Sequence, residues 1–546
     1  MRILLLCHSF NSLAQRLFVE LTAAGHLLSV EYDINDRITE EAVALFGPDL
    51  ILAPFLKRAI PATVWHRLPC LIVHPGIPGD RGPSALDWAI LQAETDWGVT
   101  VLQATATMDA GPIWATVAFP MRTASKSSLY RREVAEAAVQ AVTEAMAHFF
   151  DYQAGHWQPT PQSAWSNRRG TTRPALRSIN APIDWTGDDT ATVLRKIHSG
   201  DSAPGRLDTL LGEAVRLYGA KPYPAASTPG TLLGHAAEGL VRATTDGAVW
   251  IGHARADRGP SAGIKRPLTQ HLPAVLDLPT LDATPVDPIR YTEHGAVGVI
   301  HFDVYNGALD TATCQRLRDV WQSACQRPMR VLVLAGGAEF FCNGLDLNAI
   351  EAAASPADAS WANINAMDDL CLAILQTTDR LTVAALQGNA GAGGAFLALT
   401  CDAVWARAGV VLNPHYKNMG NLYGSEYWTW TLPQRMADRT LLERRLPIGS
   451  AEAVRLGFID AELASENFMS TVLQRAQALA EAPDFKNKSA EKLSRDRDGL
   501  TACRAAELAA MQRNFYGFDA SYHVARARFI HKTPQAWTPR HLAIHR

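Results

Sequence analysis

Apolar residues in the first 120 positions fall into short, nearly continuous runs, clearest at residues 3–7, 50–54, 70–74 and 99–103. Runs of that length without polar alternation fit strands buried on both faces of a parallel sheet. Between them, residues 12–24 and 40–46 carry the apolar spacing of helices. A longer helical pattern over 127–150 opens on serines that can cap it. The alternation predicts a doubly wound α/β domain over residues 1–175. Ligands of such sheets bind at the carboxyl ends of the strands.

From residue 180 the texture changes. A helical stretch at 190–197 precedes β-like runs at 214–218, 239–243 and 249–252. This predicts a small β-rich, barrel-like (OB-like) domain over 180–258. Pro260, Pro267, Pro273, Pro279, Pro285 and Pro288 then mark a linker over 259–288. A third unit spans 289–546, with strands at 297–302, 330–334 and 381–386 and helices at 310–324 and 362–376. The chain ends in charged helical patterns.

The chain has 546 residues, 47% hydrophobic and 19% charged, which suits a multidomain globular protein. A net charge of −3 without a dense Lys/Arg run argues against a nucleic-acid partner. No apolar stretch is long enough for a membrane span. The opening MRILLLCHSF is too short for a secretory signal and lacks a small-residue cleavage site, so it reads as a buried strand. The eight cysteines show no CxxC spacing, which fits a reducing compartment and an expected cytoplasmic location.

Two regions carry chemistry. His74 closes the run 70–74, at the end of a buried strand, and Asp109 lies in a later loop, TMDAGPI. A carboxylate that orients an imidazole makes a general acid/base pair. On spacing alone the two read equally as a loop histidine and a capping aspartate. The second region, GNAGAGGAFLAL, starts at Gly388. Glycines at a helix start bare N–H groups towards developing negative charge. The first turn, Ala395, Phe396 and Leu397, offers no acid, base or nucleophile. Cys342 reads as packing, and His541 with His545 as a tail pair without further metal ligands.

The segments Pro48-Asp49-Leu50-Ile51, HPGIPGDRGPSALDWAI from His74, Gly98-Val99-Thr100 and Asp109-Ala110-Gly111 resemble the 10-formyltetrahydrofolate-dependent formyltransferases. Residues 183–205 and the β-rich run to Ala254 resemble that family's second domain. The resemblance implies a folate site around His74 and Asp109, with Asn11, Arg81 and Gly82 as further candidates. The family's triad is Asn, His and Asp. Its asparagine position holds Ile72, which cannot hydrogen-bond. Another donor, Asn11 or a backbone N–H, would have to serve, or the acceptor is not the usual amine.

Phe340 to Leu347, Ala385 to Gly394 and Cys401-Asp402-Ala403-Val404 resemble the crotonase (enoyl-CoA hydratase/isomerase) superfamily, a ββα spiral. That resemblance implies an oxyanion hole for a coenzyme A thioester, made by the N–H groups of Leu345 and Gly393. The two hydratase glutamates fall on Phe396 and His415, so water addition is not expected. Downstream, Tyr416 and Glu426 offer a proton-transfer pair, with Phe396 and His415 as pocket walls.

The two-domain order is similar to the HypX/HoxX-type hydrogenase maturation proteins along essentially the whole chain. It implies formyl transfer from 10-formyltetrahydrofolate to coenzyme A, then decarbonylation of formyl-CoA. The carbon monoxide would serve the Fe(CN)2CO centre of [NiFe]-hydrogenase, with hydrogenase maturation proteins as partners. Rival readings are formylation of an amine such as initiator tRNA, hydrolysis of formyl-CoA to formate, and a crotonase unit that only docks a partner.

Overall fold

The computed structural model describes residues 1–165, 169–282, 287–438, 440–483, 485 and 497–546. The chain forms two compact units, Met1–Pro285 with Pro534–Arg546, and Val286–Thr533.

The first unit opens on a six-stranded sheet. Its order is Leu27–Tyr32, Arg2–Cys7, Leu50–Phe55, Cys70–His74, Asp96–Gln103, Ile113–Pro120. The first four strands are parallel and largely buried; three of them carry the unbroken apolar runs, while Leu27–Tyr32 holds Ser29 and Glu31. The last two are antiparallel, a point the runs themselves do not encode. The predicted long helix runs from Lys126 to Ala147, capped by Ser125 and with a π turn at Tyr130–Val134, and a short helix Phe149–Gln153 follows a break at His148.

The β-rich domain is an antiparallel sheet ordered Arg206–Leu210, Glu213–Tyr223, Ala248–Ala256, Gly239–Ala243, Leu232–Ala236. Helix Thr190–Gly200, capped by Asp189, packs Val193, Leu194 and Ile197 against Leu217, Val249 and Ile251. The segment expected as a linker is partly structured. Arg266–Pro267 pairs with Ala248–Ala256, and Leu268, Leu272 and Val275 enter the same core.

The last domain was expected to run to Arg546, but its final stretch, Pro534–Arg546, packs in the first unit. There it covers Leu27–Tyr32, an edge strand that would otherwise expose unpaired backbone. Val30 N–H donates to Leu542 O at 2.9 Å, and Tyr32 N–H to Thr538 Oγ1 at 2.8 Å. Glu31 is fully buried beneath this tail. His545 Nε2 at 3.0 Å and Arg546 Nη2 at 2.7 Å meet its carboxylate, and Thr538 donates to it as well. Burial alone would raise the Glu31 pKa, but these partners outweigh it and hold it below the ordinary value. Its stabilising contribution is therefore complete above the ordinary carboxylate range and lost as pH falls through the lowered value. Glu31→Gln, which removes the buried charge that faces Arg546, should cost the first unit about 3 kcal/mol. The readout is the denaturant midpoint of that unit's transition.

The second unit is a spiral between two sheets. The larger is ordered Ile289–His294, Val297–Phe302, Val331–Gly336, Leu381–Leu386, Ala403–Arg407, Ala461–Leu463. The smaller is Phe340–Cys342, Asn389–Gly391, Val411–Asn413, Ile448–Gly449. Three times the chain leaves a strand of the larger sheet, turns within a few residues and adds a strand to the smaller. The turns after Val331–Gly336, Leu381–Leu386 and Ala403–Arg407 thus stack at one end of the larger sheet. Helices Pro356–Leu375 and Arg497–Tyr516 pack against each other in this unit.

Candidate active sites

In the first unit, His74 ends its strand and is 5% exposed. Two carboxylates flank its ring. Nε2 lies 3.2 Å from Asp80 Oδ1, and Nδ1 lies 3.8 Å from Asp109 Oδ2. The pair expected from the sequence is thus brought together, and Asp80, which sequence reasoning passed over, is the nearer partner. Asp80 is 1% exposed, and its Oδ2 has no hydrogen-bond partner. The signal was present in HPGIPGDRG, where glycines bring the chain back on itself. A Cβ on Gly76 would lie 2.4 Å from His74 Nε2.

The loop beyond is held by backbone. Gly82 N–H donates to Asp109 Oδ2 at 3.0 Å. Arg81 pairs through its backbone with residues 171–173, and its guanidinium donates to Gln162 Oε1 at 3.3 Å. Gln162 in turn donates to Asp109 O at 2.8 Å, tying Arg81 to the Asp109 loop. Asn11 is placed differently. Its Oδ1 caps helix Ser12–Ala23 at Ala14 N–H, and its Nδ2 donates to Tyr130. Ile72 stays a strand residue beside Ala53 and Leu102.

In the second unit, the two glycine loops meet. A Cβ on Gly344 would lie 3.3 Å from Gly393 N. Leu309 donates to Gly344 O and accepts from Asp346 N–H, which leaves the Leu345 N–H on the opposite side of that bridge. Gly393 is the first residue of helix Gly393–Leu399, so its N–H has no intrahelical acceptor. Ala392 before it takes φ +48°, ψ −128°, a strained backbone held by an Ala392 N–H bond to Asn413 O.

Glu426 reaches this point. A Cβ on Gly393 would lie 2.2 Å from Glu426 Oε1, so only glycine lets the carboxyl close on the helix start. Its other oxygen, Oε2, accepts from Tyr416 Oη–H at 2.6 Å. The carboxyl is 1% exposed, and burial, then the charge of Asp368, push its pKa up to about 8. Burial and then Glu426 raise the Tyr416 phenol as well. Phe396 stacks on Tyr416 at 5.0 Å and 13°, so its ring packs against the pair. His415 is buried beside it in sequence. Cys342 accepts the Gly344 N–H at 3.3 Å, and burial lifts its thiol to about 12, which suits packing and not nucleophilic attack.

Asp368 and Glu507 also surround Glu426, and sequence reasoning missed both. Glu426 N–H donates to Asp368 Oδ1 at 2.9 Å, and Tyr427 N–H to Glu507 Oε2 at 3.0 Å. Each sits within a long helix, without a motif around it.

Three family models match the chain: formyl transferase over residues 29–146, formyl transferase C-terminal domain over 176–271, and enoyl-CoA hydratase/isomerase over 292–540. The second includes Leu268 and the residues just before it, where the expected linker had begun. The hydrogenase maturation factor HoxX of Bradyrhizobium diazoefficiens is 50% identical over 557 residues, covering 100% of this chain and 97% of that protein. The chain belongs to the HoxX/HypX family of hydrogenase maturation factors. The crystal structure of HypX from Aquifex aeolicus in complex with tetrahydrofolic acid matches with a TM-score of 0.94 at 47% identity, covering 100% of this chain and 99% of that one. A methionyl-tRNA formyltransferase of Aromatoleum aromaticum is 26% identical over 42% of this chain and 72% of its own length. No helix among the described residues is long and apolar enough to cross a membrane.

Proposed function

We propose that this maturation factor makes carbon monoxide in two steps, by formyl transfer from 10-formyltetrahydrofolate to coenzyme A and then decarbonylation of formyl-CoA. The folate reading is supported by the tetrahydrofolic acid in the Aquifex aeolicus HypX structure and by the formyl transferase match. The thioester reading is supported by the crotonase-like unit. The observation that carries the second step is the Glu426–Tyr416 pair lying on the start of helix Gly393–Leu399.

In the first step a carbon–sulfur bond forms to the formyl carbon and its bond to folate N10 breaks. His74 takes the thiol proton and returns it to N10. Asp80 and Asp109 hold the imidazole between them. Ile72 cannot supply the family's amide donor, and Asp80 adds a second carboxylate beside the ring.

In the second step the N–H groups of Leu345 and Gly393 hold the formyl oxygen. Glu426 removes the formyl proton. The C–H electron pair stays on carbon as the lone pair of carbon monoxide, and the C–S pair leaves with sulfur. Glu426 then returns the proton to the thiolate. A carrier lifted to about 8 lies close to a thiol, near 8.5, so the return of the proton to sulfur runs with little bias. When Glu426 holds the proton, Tyr416 can turn its hydroxyl to Ser425 O, 3.0 Å away. Phe396 fills the place of a hydratase acid and keeps water from the formyl carbon.

The test is anaerobic incubation with 10-formyltetrahydrofolate and coenzyme A, with gas trapped on a ferrous haem protein. Carbon monoxide that needs both substrates supports the reading. Formate in its place would make the second unit a formyl-CoA hydrolase. Asp80→Asn should keep the fold and slow formyl-CoA formation about 10- to 100-fold, because the ring loses its nearer carboxyl partner. An unchanged rate would return that role to Asp109 alone.

A further inference from the structure

Residues 425–429 make a turn that its own sequence does not favour. Glu426 and Tyr427 take φ of +60° and +57°, two consecutive left-handed residues without a glycine. Such backbone persists only where its surroundings over-determine it. Two buried carboxylates do so here. Asp368 on helix Pro356–Leu375 accepts Glu426 N–H at 2.9 Å and Ser425 Oγ–H at 2.7 Å. Glu507 on helix Arg497–Tyr516 accepts Tyr427 N–H at 3.0 Å, Thr429 N–H at 2.8 Å and Thr429 Oγ–H at 2.5 Å. Both are 0% exposed. Three carboxyl groups therefore share one interior, and five donors on one turn join two of them to the third.

We propose that Asp368 and Glu507 are positioning residues for Glu426: they pin its turn through N–H and O–H donors and set the charge around its carboxyl. The role rests on the reading of Glu426 as proton carrier. Without the two acceptors, the left-handed pair would relax and Glu426 Oε1 would leave Gly393. Without their charge, Glu426 would give up its proton too readily to serve as a base.

Several elements bring titratable groups to Glu426. On helix Pro356–Leu375, Asp368 faces inward, while its neighbour Asp369 pairs with Arg504 at 2.6 Å. On helix Arg497–Tyr516, Arg504 is the cation that tempers Asp368, and Glu507 is the second acid. On the loop before the turn stand His415 and Tyr416, and Tyr427 follows Glu426. The thiols of Cys314, Cys342 and Cys371 are raised by burial and stay neutral through the working range. Burial lifts Asp368 to about 6 and Glu507 to about 7, so above these values both carry charge and oppose ionisation of Glu426.

Asp368→Asn separates charge from geometry. Its oxygen still accepts Glu426 N–H, and its amide can donate to Ser425 Oγ, whose hydroxyl rotates. The measurement is a pH series of infrared difference spectra on the full chain, in which the carboxyl band lost in Glu426→Gln reports Glu426 alone. The midpoint of that band should fall by about 1 unit in Asp368→Asn. The ascending limb of kcat for added formyl-CoA should move with it, and KM should not change. Glu507→Gln, read in the same way, serves if the first variant does not fold. A midpoint that stays in place overturns the proposal, whatever the turnover. A midpoint that moves while the wild type releases no carbon monoxide upholds the positioning role and removes the decarbonylation reading.

Discussion

Glu426→Gln should stop carbon monoxide release while leaving formyl-CoA formation intact. The substitution conserves shape. Its amide oxygen can still accept from Tyr416, and its side chain still fits against Gly393, where no Cβ intrudes. What it loses is the ability to take a proton. General base catalysis by one positioned group contributes about 10²–10⁴-fold, and here the same group also returns the proton to sulfur. The loss should therefore lie at the upper end of that range, in kcat and not in KM for formyl-CoA. Formyl-CoA should accumulate from 10-formyltetrahydrofolate and coenzyme A, since His74 is untouched. The measurement is haem-trapped gas together with chromatographic assay of the thioester. Gas release at the wild-type rate would take Glu426 out of the mechanism. In the wild type the rate should rise with pH towards the region of about 8, because the base must first lose its proton.

Parts of both sites were legible in the sequence because they need unusual residues. Glycines at 388, 391, 393 and 394 mark a loop where a Cβ would strike backbone or the Glu426 carboxyl, or meet neighbouring side chains. His74 could be placed because an unbroken apolar run ends on it. Asp368 and Glu507 were not legible. Asp368 and Asp369 are adjacent in sequence, yet one is buried and the other half-exposed, a difference set only by what packs against the helix. The fate of the proline-marked stretch was partly encoded. Leu268, Leu272 and Val275 repeat at four and three residues, the spacing of a packed helical face, and all three are buried. Their prolines drew the reading towards a linker. The return of Pro534–Arg546 to the first unit has no local signal, since its partner Glu31 is some five hundred residues away in sequence. Direction in the sheet is equally silent, because an apolar run reads the same in a parallel and an antiparallel strand.

His74→Ala should produce the opposite pattern: no formyl-CoA from 10-formyltetrahydrofolate, and normal carbon monoxide from formyl-CoA supplied directly. The imidazole has a carboxylate at each ring nitrogen, 3.2 Å and 3.8 Å away. Removing it takes away the carrier between sulfur and N10 and leaves Asp80 and Asp109 facing each other across a gap. The expected loss in formyl transfer is about 10³-fold or more. Folate should still bind, because the loop around Arg81 and Gly82 is held by backbone bonds to residues 171–173 and to Asp109, none of which involves the ring. The readout is single-turnover formation of formyl-CoA, with tetrahydrofolate affinity as the control. If His74→Ala and Glu426→Gln each block one step and spare the other, a mixture of the two variants should regain carbon monoxide release to the extent that formyl-CoA escapes into solution. Failure of the mixture, with both half-reactions intact, would mean that the thioester does not leave the molecule between the steps. The pair of variants therefore tests the two chemistries separately and then tests whether their shared intermediate is free.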